Sequence, residues 1–112
     1  MTTLPKEGYL LRIFIGESDK KDGQPLYEWI VRRAKQEKLA GATVLRGIES
    51  FGASSHIHTA KILQLSMDLP IIIEIIDTFE KINNFMPIIN ENVSCGLATL
   101  EKVQIMLYRT AK

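Results

Sequence analysis

Aliphatic and aromatic residues crowd positions 8–18, "GYLLRIFIGES", and the crowding ends at Gly16. Such a run predicts a first strand. The polar stretch "SDKKDGQ" then predicts a turn. From Pro25 the period changes: Leu26, Ile30 and Ala34 recur at spacing four, with Tyr27 and Val31 beside them. One apolar stripe of that kind predicts a helix over 25–39, with the charges of Arg32, Arg33, Lys35, Glu37 and Lys38 mostly on its other face. Gly41 is the expected C-terminal cap. "ATVLRGI" (42–48) reads as a second strand and "LPIIIEIID" (69–77) as a central third one. Asp77 or Thr78 can cap a second helix, "FEKINNFMPIINEN", whose apolar face is Phe79, Ile82, Met86 and Ile89. Pro87 lies inside it, so a kink or a helix in two pieces is expected. Gly96 closes this segment, and "LATLEKVQIMLY" (97–108) alternates as a fourth strand.

The order β-α-β-β-α-β predicts an α+β, ferredoxin-like fold: a four-stranded antiparallel sheet with both helices on one face. The first and third strands are apolar on both sides. Their second face needs cover that a chain of this size does not supply, so self-association is expected. The link between strands two and three, about residues 49–68, is long: a hairpin needs about two to five residues. Loops of that length in small domains are usually functional or disordered. Arg12 and Glu74 interrupt the two most apolar strands. Each is expected to pair at a subunit interface or to point out at an edge, and a pair between them across neighbouring strands is a further reading that the sequence alone does not decide.

A chain of 112 residues is most simply one domain, 1–112. A net charge of +1 does not favour a nucleic-acid polymer as partner. One cysteine, Cys95, excludes an internal disulfide framework and fits a reducing compartment. The N-terminal stretch lacks a basic segment followed by an apolar one, and no apolar run approaches the roughly 20 residues of a membrane span. The expectation is a cytoplasmic protein.

The chemistry concentrates in "RGIESFGASSHIHT" (46–59), which carries both histidines. Gly52, Ala53, Ser54 and Ser55 can turn sharply and offer backbone N–H groups and hydroxyls to an anion; a plain turn is the competing reading. Arg46 and Lys61 flank this stretch and either can meet a phosphate, Arg46 with a fork of donors. His56 and His58 stand two apart. With Cys95 or Glu49 they offer an alternative metal site, although their spacing matches no zinc signature. Hydrogen bonding of His58 to a phosphate or to a neighbouring subunit is the other role open to it. Cys95 reads as an inert small residue, and Trp29, off the helix stripe, as an interface anchor or a half-exposed side chain. No nucleophile turn or carboxylate pair supports enzyme chemistry.

"LYEWIV" through "GATVLRGIESFG", "SSHIHT", "LSMDLPIIIEIID" and "GLATLEKVQIMLY" resemble a small PII-like family known only as a domain of unknown function. More distantly the chain is similar to the nitrogen-signalling PII proteins. The resemblance covers residues 8–109 and implies a homotrimer with ligand clefts between subunits and a loop that docks on a partner, such as a membrane transporter or channel. It implies an adenine nucleotide as ligand, met by Ser50, Phe51, Gly52, Ala53 and Ser54 after strand two, by the loop holding Gly96, and by Arg109 after the last strand. Ser50 stands where the PII turn has its first glycine. "VSCGLAT" stands where PII proteins have a glycine-rich, lysine-bearing phosphate loop. That loss favours AMP, ADP or a cyclic nucleotide over ATP. A metal-binding trimer like the copper-tolerance CutA proteins, using His56 and His58, is the alternative.

Overall fold

The computed structural model describes residues 4–51, 57–59 and 69–111. Strand β1 spans Glu7–Gly16. A two-residue hairpin follows: β2 (Lys20–Lys21) pairs with β3 (Gln24–Pro25) across Asp22 and Gly23. Both turn residues have positive φ, 53° and 80°, the geometry that an Asp-Gly pair supports between twisted strands. Helix α1 is Leu26–Gln36 and β4 is Thr43–Arg46. The long link opens with a short ribbon, β5 (Glu49–Phe51) against β6 (Ile57–Thr59). Then come β7 (Pro70–Asp77), α2 (Phe79–Asn92) and β8 (Leu97–Gln104).

The main sheet runs β4-β7-β1-β8, and every neighbouring pair is antiparallel. This is the ferredoxin-like plan expected from the element order. The register sets the core. Leu11, Ile13 and Ile15 stand opposite Ile75, Ile73 and Ile71, and this row packs against Leu26, Ile30 and Ala34 of α1 and Ile82, Phe85 and Ile89 of α2. Both helices therefore cover one face. Each leucine, isoleucine or phenylalanine of this set, fully buried, contributes about 1.5–3 kcal/mol.

Two local expectations give way to packing. Helix α1 ends at Gln36, well short of Gly41, and Lys38 takes the left-handed conformation (φ 62°). Lys38 N–H donates to Lys35 O and Leu39 N–H to Ala34 O, a Schellman closure. Leu39 turns in against the core beside Ala34, and that contact outweighs the preference for glycine at the cap. Helix α2 runs through Pro87 as one element. Asn83, whose carbonyl loses its donor, and Pro87 both lie on the exposed side of the helix, where an unpaired carbonyl costs little. Thr78 caps α2, its Oγ1 accepting from Lys81 N–H at 3.2 Å.

The second face of the sheet carries Leu10, Phe14, Ile72 and Ile76, flanked by Leu45 on β4 and Leu97 on β8. No helix covers it, and Leu45, Ile76 and Leu97 are exposed. At its centre Arg12 Nε donates to Glu74 Oε2 at 3.0 Å, and Arg12 Nη1 to Glu101 Oε1 at 3.3 Å. The bond to Glu74 is the main cause that raises the Arg12 pKa above its ordinary value, against desolvation. No described helix is long and apolar enough to cross a membrane.

Candidate functional site

The described site residues gather at two opposite ends of the sheet. At the Gly16 end, the last residue of β4, Arg46, reaches Glu17, and its Nη2 donates to Glu17 Oε2 at 2.6 Å. Both side chains are partly in water, so this pair contributes little to stability. It does hold the guanidinium at the stem of the long loop. Glu17 N–H donates to Leu69 O and Gly47 N–H to Pro70 O, tying both stems of that loop to the sheet end.

Gly96 arrives at the same end, just before β8. A Cβ at Gly96 would stand 2.7 Å from Phe14 O, a backbone atom of β1. The glycine is explained by this close approach alone. Gly96→Ala is expected to destabilise the fold by about 1–3 kcal/mol, the usual range for overpacking; chemical denaturation measures it, and an unchanged midpoint would show that β1 yields freely.

Ser50 and Phe51 lie in β5, and His58 stands opposite Ser50 in the paired β6. Gly52, Ala53, Ser54, Ser55, His56 and Lys61 fall outside the described residues. Cys95 is a free, exposed thiol. Trp29 is half-buried on α1, with Lys21 Nζ 5.8 Å and Arg33 Cζ 5.9 Å from its ring centre.

The other end holds a feature that the linear pattern did not announce. A cavity of about 670 Å3 opens on the uncovered face, within the usual range for a small-molecule site. Ala40, Gly41, Ala42 and Thr43 form one wall, Glu74 and Ile76 line it from β7, and Val103 through Tyr108 close the far side. Glu74 is the only charged lining residue among the described ones. The cavity therefore suits an uncharged, largely apolar group with a few polar edges, and its described lining offers no cation to a phosphate. Arg109 follows Tyr108 and is exposed.

Thr43, which lines the cavity, and Arg46 stand three residues apart on β4, roughly 10 Å at the rise of a strand. Thr43 opposes Glu74 on the uncovered face and Arg46 opposes Ile71 on the core-facing row, so their side chains leave opposite faces of the sheet. One chain thus presents an apolar cavity on the uncovered face of the sheet and, on the other face, a guanidinium beside the loop stem. The signals that could have found the cavity are weak in sequence: Gly41 between two alanines, where no large side chain fills the space, and the apolar run 105–108 continuing past the strand.

Residues 8–105 match the family DUF190, described as Uncharacterized ACR. The chain belongs to the DUF190 family. It is 42% identical over 97 residues to a UPF0166 protein of Aquifex aeolicus (strain VF5), covering 87% of this chain and 91% of that one. A UPF0166 protein of Methanocaldococcus jannaschii is 38% identical over 78 residues, covering 70% and 71% of the two chains. Among solved structures, this DUF190 chain is similar to CPII, a nitrogen regulatory PII-like protein from Thiomonas intermedia K12 bound to ADP, AMP and bicarbonate. The TM-score is 0.61 at 14% identity, over 88% of each chain. A putative PII-like signaling protein from Thermus thermophilus gives a TM-score of 0.64 at 17% identity, covering 88% and 89%. At such identities the likeness establishes a PII-like fold for this DUF190 protein.

Proposed function

We propose that this protein is a non-catalytic, PII-like regulator that binds AMP or ADP between subunits of a homotrimer. The observation that carries this reading is the split of the site. The cavity suits an uncharged ring and sugar and has no cation among its described lining residues, and Arg46, three residues beyond the cavity residue Thr43, leaves the opposite face of the sheet. A second copy, with its Arg46 end brought to the first copy's cavity, would complete a site for a molecule that is apolar at one end and anionic at the other. The uncovered apolar face, on which the cavity opens, supplies the surface for that association. The adenine nucleotides held by the similarly folded CPII support the ligand class.

The proposed mechanism is a population shift. The stem of the long loop carries Arg46, so a ligand that draws on Arg46 favours one loop arrangement over others. That arrangement would be the one presented to a partner protein, such as a membrane transporter or channel.

Calorimetry of the purified protein with AMP, ADP, ATP, zinc and copper tests the reading, together with sedimentation to fix the assembly. The expected result is one nucleotide per chain, saturable, on a trimer, with AMP or ADP preferred over ATP. Binding of zinc or copper alone would replace the nucleotide reading with the histidine one. Nucleotide binding to a monomer would remove the two-subunit site.

A further inference from the structure

Asp77 is the one charged residue that the fold buries, at 3% exposure among the described residues. It occupies the place after Ile71, Ile73 and Ile75 on the core-facing row of β7, where the alternation calls for another aliphatic side chain. A buried carboxylate is costly unless it is well bonded. Its Oδ1 accepts from Thr78 N–H at 2.7 Å and its Oδ2 from Ala40 N–H at 2.8 Å. The first bond is local. The second reaches 37 residues back along the chain, to the segment that walls the cavity.

A cap for α2 does not explain this residue, because Thr78 already provides one. A second tie runs in parallel: Lys81 Nζ, from the first turn of α2, donates to Lys38 O at 2.9 Å. Lys38 is the left-handed residue at which the chain leaves α1. The segment from Lys38 to Ala40 is thus held from the start of α2 by a carboxylate on one N–H and an ammonium on one carbonyl, both charge-assisted bonds. The cavity wall begins at Ala40 itself.

We propose that Asp77 is a positioning residue of the cavity, holding the Ala40–Thr43 wall at its working distance from Ile76, with Lys81 as the second tie. This rests on the reading of the cavity as a ligand site. Asp77 touches no ligand itself; it acts through the wall.

The test uses the full chain with Asp77→Asn and, separately, Lys81→Met. Asparagine has the same shape but puts an NH2 where one carboxylate oxygen accepted. Lys81 is exposed, so its variant leaves the core intact. Three readouts are taken: amide hydrogen exchange at Ala40 and Gly41 without ligand, AMP affinity by calorimetry, and affinity for the neutral fluorophore N-phenyl-1-naphthylamine. For Asp77→Asn, exchange at Ala40 should rise about tenfold relative to amides of β7, and both affinities should fall about tenfold. Lys81→Met should move all three in the same direction by about threefold. If Asp77→Asn does not fold, Lys81→Met decides alone. Unchanged exchange at Ala40, or faster exchange with both affinities intact, overturns the proposal. If the unaltered protein binds no AMP, the nucleotide reading fails while the fluorophore still decides the positioning role. Binding of neither overturns both.

Discussion

Thr43→Trp is expected to abolish useful nucleotide binding while leaving the fold in place. Thr43 is exposed on β4 and its side chain shares the uncovered face with Glu74, which it opposes in register. Both line the cavity. Tryptophan is well accepted on a strand, so the backbone pairing to β7 should persist. Its indole would occupy the space between the Ala40–Ala42 wall and the 103–108 segment. The expected loss is about a hundredfold in AMP affinity, close to 2.8 kcal/mol at about 1.4 kcal/mol per factor of ten. Calorimetry gives the affinity, and circular dichroism shows whether the sheet and helices survive. A variant that is folded and binds AMP normally would mean that the ring of the ligand sits elsewhere.

The second large effect is on stability. Phe85 on α2 is 1% exposed and is the largest side chain of the fully buried set. It packs with the rows of β1 and β7. Phe85→Ala removes most of that contact and leaves a cavity that a helix-on-sheet core closes only in part. The expected cost is about 3–5 kcal/mol. At about 4 °C per kcal/mol for a domain near this size, the midpoint should fall by about 12–20 °C at fixed protein concentration. A fall of only a few degrees would mean that α2 moves inward to fill the void. Met86→Ala is the comparison: its side chain is only partly buried, and its effect should be well below that of Phe85→Ala.

Phe85 also shows where reading along the chain stops. Phe79, Ile82, Met86 and Ile89 make a reasonable apolar stripe at helical spacing, and Ile82 and Ile89 are indeed buried. The centre of the face is Phe85, and Phe79 is 50% exposed. Phe79 instead meets Tyr9 edge-on, with ring centres 5.3 Å apart. Periodicity sets which residues share a stripe to within one position. The rotation of the helix on the sheet then chooses among them, and that rotation depends on the residues of β1 and β7. The Arg12–Glu74 pair was one of several roles the sequence left open, and the register decided it. Each charge breaks an aliphatic strand, both strands are central, and the two fall directly opposite one another in the register.

What the amino-acid order determined by itself is the list of elements and their order, because strand alternation and helix period are local properties of the side chains. From that order the ferredoxin-like sheet follows, with one face left uncovered. Tertiary structure alone decided the cavity. Its walls come from residues 40–43, from 74 and 76, and from 103–108, which no spacing rule connects. It also decided that Lys38 rather than Gly41 turns the chain after α1, because Leu39 gains a place against the core. The same holds for Asp77. In the sequence it is a cap beside Thr78; in the fold its carboxylate spans from the start of α2 to the cavity wall. The physical reason is common to all three: each depends on residues distant in the chain that only tertiary packing brings together.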